Sequence, residues 1–185
     1  WAFAVGSLLF GFIADRVNVA RFIPLGLLLS ALMNLFMGVN SLFLVACGLW
    51  LANGYFQGVG ASASVRSLTQ WFSGAERGRV YGIWSAAHSI GEFMTYVGTA
   101  ALVAASGWRA GFLGPFAACT LVALAAFFLL RDRPQVYGLP EVHEWKGEAH
   151  NDKVASTREA QLEVLKSPAI WVCAIASALM YVTRY

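Results

Sequence analysis

The apolar positions of this 185-residue chain fall in long blocks, not in stripes or strict alternation. Four blocks, Phe22 to Val39, Leu42 to Ala61, Val80 to Ala105 and Ala110 to Leu130, reach or exceed the roughly 20 residues that cross a hydrocarbon core. A helix in water needs a polar face, which most of these positions do not supply. Two further apolar stretches, Trp1 to Ala14 and Pro168 to Tyr185, stand at the chain ends, with no initiator Met and no signal-peptide pattern, so the sequence reads as an internal fragment. The pattern predicts an all-α polytopic membrane protein. Its parts are an N-terminal helix bundle over 1–130, a polar central loop over 131–167, and the first, truncated helix of a second bundle over 168–185.

Composition strengthens that reading. The chain is 58% hydrophobic and 12% charged, with a mean hydropathy of +0.61, whereas soluble domains carry about a quarter charged residues. The net charge of +3 reflects its loops and does not argue for nucleic acid. Arginines alternate between helix ends: Arg16 and Arg21, then none over Val39 to Ser41, then Arg77 and Arg79, then a single Arg109. The excess marks loops 15–21, 73–79 and 131–167 as cytoplasmic. The segment Arg131 to Lys166 carries 13 of the 23 charged side chains and reads as a linker between two bundles, with a short surface helix expected in "STREAQLEVL". Cys47, Cys119 and Cys173 lie singly in different apolar segments and read as buried thiols, without disulfide or metal spacing.

Polar residues inside the blocks are the anomaly. Tyr81, Ser85, His88, Glu92, Thr95 and Thr99 fall within about 40° of one line on a helix, with Trp84 at the border. From Arg79, His88 lies about 13 Å along the axis, near the middle of a core about 30 Å thick. An ion there costs on the order of 2.5 to 3.5 kcal/mol by insertion scales, so His88 and Glu92 are functional candidates, against the plainer roles of an interhelical hydrogen bond and an ion-paired packing residue. The preceding block repeats the pattern with Asn53, Gln57, Ala61 and Ser64, and carries a GxxxG at Gly54 and Gly58. Arg184 lies about 24 Å along the last helix from Pro168, flanked by Tyr181 and Tyr185; its planar guanidinium suits bidentate capture of phosphate or carboxylate. Arg66 and Arg109 fall at helix ends and read as anchors or ion-pair partners.

These residues, with several collinear motifs, resemble the organophosphate:phosphate antiporter family of the major facilitator superfamily. "GFIADRVNVAR" is similar to the superfamily signature through Gly11, Asp15, Arg16 and Arg21; "NGYFQGVG", "ERGRVYGIWSAAH", "GWRAG", "RDRPQVYGLPEVHEWK" and "YVTRY" resemble family runs from the fourth helix to the seventh. The resemblance implies a fragment covering about helices 2 to 7 of 12, in a bacterial inner membrane. It puts Arg184, His88, Tyr181 and Gln57 in the substrate cavity, joined by Trp84 and Glu92 on the face described above. It also implies a conformational gate at Gly11, Asp15, Arg16 and Arg21, to which the neighbouring Glu76 and Arg77 are added. Departures are "ASAS" from Ala61 where the family has a Trp-Pro-Pro run, Glu92 in place of a glycine, and one extra residue before Arg21.

The implied function is exchange of phosphorylated small molecules for inorganic phosphate by alternating access, with lipid bilayer and no cofactor. Two other readings stay open. One is a hexose-phosphate receptor signalling to a sensor kinase, and the other a proton-coupled carrier of non-phosphorylated anions. An enzyme is disfavoured, since the sequence has no nucleophile–base pair, metal-ligand spacing or glycine-rich phosphate loop.

Overall fold

Each apolar block folds as one helix. In the computed structural model, which describes residues 2–147 and 165–184 (side chains of 143, 177, 178 and 180–184 excepted), the order is α1 (Ala2–Ala14), α2 (Val19–Val39), α3 (Phe43–Trp71), α4 (Gly74–Ser106) and α5 (Ala110–Leu129). A 3-10 turn (Pro134–Tyr137) and a short α6 (Val142–Lys146) follow, and α7 is Pro168–Arg184. The expected surface helix in "STREAQLEVL" lies outside the described residues except for Leu165.

Two helices outrun their apolar blocks. α3 continues ten residues past Ala61, and α4 begins at Gly74, six residues before Val80. The early start of α4 has a local cause: Ser73 and Glu76 form a capping box, each side chain satisfying the other's otherwise orphaned backbone N–H. Among the described residues, α2 and α5 are long and apolar enough to cross a membrane by themselves, with mean hydropathies of 2.0 and 2.2. α3 and α4 have the length, but polar side chains such as Asn53, Gln57, His88 and Glu92 dilute them.

Residues up to Glu148 form one compact unit, and Ala149–Tyr185 a second. Within the first, α3 packs on α1 and α2, α2 on α5, and α4 on α5 and more lightly on α3. The tightest crossing is between α1 and α3. A methyl group on Gly58 would overlap the Ser7 backbone nitrogen and lie 2.6 Å from the Gly6 carbonyl carbon, and one on Gly6 would overlap the Tyr55 carbonyl oxygen. The GxxxG therefore acts through one member, because at Gly54 the nearest atom would be the Ala2 Cβ at an ordinary 3.6 Å. Ala14, Val19 and Ala63 make a small core, with Phe22 and Ile23 against it and Phe10 edge-on to Phe22 at 5.8 Å.

Large apolar side chains face outward along every long helix, among them Leu44 at 83% and Leu129 at 76% exposure. Water does not tolerate so much contiguous apolar surface, whereas hydrocarbon does. Cys47 and Cys173 share this outward setting and Cys119 is half-buried, which corrects the expectation of buried thiols: positions in an apolar membrane block can face outward as readily as inward.

Short turns fix both ends of the bundle. At one end Asn40 exchanges side-chain hydrogen bonds with the Leu42 backbone, and Gly107 turns the chain from α4 to α5 at φ 82°, a left-handed value that favours glycine. Arg109 joins these two turns, donating to Ser41 Oγ at 3.2 Å with its guanidinium 4.7 Å from the Trp108 ring centre. The opposite end gathers Arg16, Arg21, Arg77, Arg79 and the segment after α5.

Candidate functional site

The middle of α4 carries an aromatic ladder. Tyr81 and Trp84 lie 5.3 Å apart between ring centres, and Trp84 and His88 are stacked at 6.4 Å with 23° between their planes. This follows from i, i+3 and i, i+4 spacing on one face of a helix. His88 and Tyr81 are exposed, and Trp84, Glu92 and Thr99 half-exposed, so the polar face is not buried against the other described helices. One turn beyond His88, the Glu92 carboxylate accepts a hydrogen bond from the Tyr96 hydroxyl at 3.4 Å. Gln57 is exposed on α3.

Asn53 has a different environment. It is 5% exposed, and its Oδ1 accepts a hydrogen bond from Ser30 Oγ of α2 at 2.5 Å. It fastens α2 to α3 instead of lining the face that Gln57 shows. Arg184 and Tyr181 belong to the last turn of α7, and their side chains lie outside the described ones, as does Tyr185 altogether.

The arginine-rich end holds a second polar cluster. Asp15 pairs with Arg66 at 3.6 Å, while Arg16 and Arg21 are exposed; Arg21 contributes its backbone N–H to the Asn18 side chain at 3.2 Å. A Cβ at Gly11 would meet nothing within 4 Å. Arg77 turns back on α3, donating to the Phe72 and Thr69 carbonyls at 3.1 and 3.0 Å, which satisfies two acceptors at a helix C-terminus. Glu76 accepts from Ser73 Oγ and from Lys146 of α6, each at 3.0 Å. Three of the six proposed gate residues thus have separate local partners: Asp15 with α3, Glu76 with α6, Arg77 with carbonyls.

Sequence reading missed Asp132, Gln70 and Lys146 in this cluster. Asp132 and Lys146 lie in the family-like run "RDRPQVYGLPEVHEWK", but nothing in that run says what either side chain bonds, Asp132 joins residues 113 positions away, and Gln70 had no recognisable signal.

The Lys146 bond, and after it the Ser73 bonds, hold the Glu76 carboxyl below its ordinary value. A carboxylate whose pKa falls on folding stabilises the structure above its unfolded pKa, and that contribution fades as pH falls through the lower folded value. Protection of the α6 amides, taken relative to their intrinsic exchange rate at each pH, is therefore expected to be high at neutral pH and to fall below the usual carboxylate range, with Glu76→Gln lowering it at neutral pH and making little difference once Glu76 is protonated. Protection indifferent to both changes counts against the Glu76–Lys146 tether.

A helical bundle with an outward apolar surface and a titratable pair on an exposed helix face is the architecture of a polytopic membrane protein. The chain belongs to the Major Facilitator Superfamily, whose family model matches residues 1–185. It is 34% identical over 191 residues to the "Membrane sensor protein UhpC" of Escherichia coli K12, with 98% of this chain and 43% of that relative covered. It is 31% identical over 208 residues to the "Glycerol-3-phosphate transporter" of Haemophilus influenzae, covering 100% of this chain and 43% of the relative. Identity is 30% over 200 residues to the "Hexose-6-phosphate:phosphate antiporter" of Salmonella typhimurium, with 98% and 43% covered. These relatives bear out the resemblance to the organophosphate:phosphate antiporter family and the all-α membrane fold. The chain spans less than half the length of each.

Proposed function

We propose that the full-length protein is a secondary carrier that exchanges small organophosphates for inorganic phosphate by alternating access. The observation that carries this reading is the Trp84–His88 stack on an uncovered polar face in the middle of α4. Relatives named as a glycerol-3-phosphate transporter and a hexose-6-phosphate:phosphate antiporter support it. In this reading Arg184, His88, Tyr181, Gln57, Trp84 and Glu92 line the cavity. Gly11, Asp15, Arg16, Arg21, Glu76 and Arg77 form the gate at the cytoplasmic end, and the membrane is the bacterial inner membrane.

Charge neutralisation supplies the mechanism. A guanidinium facing a dry cavity without a counter-ion resists closure, because burying an unpaired charge costs several kcal/mol. An arriving phosphate forms charge-assisted hydrogen bonds to Arg184 and permits closure. His88 donates to the same anion as imidazolium, or as neutral imidazole through its one N–H. Obligatory exchange follows, since the empty site does not reorient.

The 34% identity to a protein named a membrane sensor favours a second reading, a phosphate-ester receptor that signals without transport and has a sensor kinase as partner. Proteoliposomes containing the full-length protein and loaded with phosphate separate the two. Counterflow of labelled glycerol 3-phosphate or hexose 6-phosphate is expected from the carrier; tight binding of either ester without counterflow selects the receptor.

A further inference from the structure

From the arginine-rich end of the bundle we infer that Asp132 is a positioning residue: its buried carboxylate caps α2 and thereby fastens the segment after α5 to the turn between α1 and α2. Asp132 is 7% exposed, and its Oδ1 accepts a hydrogen bond from the backbone N–H of Val19 at 2.7 Å. Val19 is the first residue of α2, so this N–H is one of those a helix start leaves without an internal partner. Asn18, the preceding residue, supplies a cap of its own, but its side chain reaches Arg21 N, not Val19 N. The helix start is capped twice, once locally and once from 113 residues away. A carboxylate is well matched to that position, because it also meets the positive end of the helix dipole.

The other bonds of Asp132 extend the attachment. Oδ2 takes a hydrogen bond from Arg133 Nε at 3.1 Å. In the amide orientation that satisfies its neighbours, Gln70 of α3 donates to the Asp132 carbonyl oxygen at 3.1 Å and accepts from Arg66 Nε at 3.2 Å. Arg66 in turn faces Asp15 at the end of α1. One polar network therefore links the last residues of α1, the first of α2, the last turns of α3 and the exit of α5. Farther along the same segment, Lys146 bonds Glu76 at the start of α4. The strap from Asp132 to Lys146 is pinned at both ends to helix termini of the bundle, and it moves with them.

This goes beyond the carrier reading, and only its consequence for the gate rests on that reading. If the Asp15 turn moves during transport, the strap moves with it.

Hydrogen exchange on the full-length protein, read by mass spectrometry in lipid nanodiscs, tests the assignment without reference to any substrate. In Asp132→Ala, amide exchange in residues 16–20 and in residues 133–138 is expected to rise together by about tenfold or more, the loss of a hydrogen bond to a charged group. Exchange in the middle of α2 and of α5 stays unchanged. Asp132→Asn keeps an acceptor oxygen in the same place and is expected to restore most of the protection at 16–20. Unchanged exchange at 16–20 in the alanine variant overturns the assignment, as does a rise confined to 133–138 or one spread evenly through α2 and α5. Should the alanine variant fail to fold, Val19→Pro removes the donated N–H at a helix position that accepts proline: faster exchange at 133–138 with the middle of α5 unchanged upholds the assignment, and unchanged exchange at 133–138 overturns it. Failure of phosphate counterflow leaves these outcomes untouched, so the two readings fail separately.

Discussion

Substituting Gly58 by leucine is expected to separate α1 from α3 and to lower the thermal midpoint of the full-length protein in detergent by several degrees. Even the methyl group of Gly58→Ala would overlap backbone, the Ser7 nitrogen and the Gly6 carbonyl carbon, and backbone in a helix cannot swing aside as a side chain tip does. Overpacking costs about 1 to 3 kcal/mol in cores where side chains can adjust, so a backbone clash belongs at or above the top of that range. Membrane helices have no hydrophobic drive toward one another and depend on close packing, which removes the usual compensation. Gly54→Ala is the matched control. Its Cβ would rest 3.6 Å from the Ala2 Cβ, an ordinary contact, and the midpoint should barely move. Equal effects at the two positions would mean that the α1–α3 crossing is not set at Gly58.

The same contrast shows what a sequence can and cannot tell about such a fold. Apolar blocks gave α2 and α5 to within three residues, because lipid and neighbouring helices both demand apolar side chains along the whole span. The GxxxG marked the right helix, but only the crossing geometry distinguishes Gly58 from Gly54. The ends of α3 and α4 were less legible, since helices that continue into a polar setting lose the apolar signal while keeping the backbone pattern. For α4 a local signal did exist in Ser73 and Glu76, whose spacing is that of a capping box. Asn53 and Gln57 look alike at helical spacing, yet one is bonded to Ser30 between helices and the other is exposed. A polar residue in an apolar block announces that it needs a partner, not which partner it has. The Asp132 cap lay beyond reach for a related reason: it depends on where the exit of α5 meets the start of α2, which no local pattern encodes.

Arg184→Lys should separate a phosphate ligand from a membrane anchor, and in the full-length protein it is expected to cut phosphate exchange by about tenfold to a hundredfold, the worth of one charge-assisted hydrogen bond. Lysine keeps the positive charge and the long apolar stem, so an arginine that merely reaches for the headgroups would be replaced without loss. What lysine cannot reproduce is the planar pair of N–H donors that meets two phosphate oxygens at once. The charge that opposes closure of an empty cavity survives the substitution, so leak without substrate should stay low while exchange falls. Arg184→Ala removes that opposition as well, and its empty carrier is expected to reorient, turning residual exchange into net uniport. Rates measured as labelled phosphate counterflow, per protein incorporated, distinguish these patterns. Full activity with lysine would place the anion elsewhere and leave His88 and Trp84 without the partner on which the proposed exchange mechanism depends.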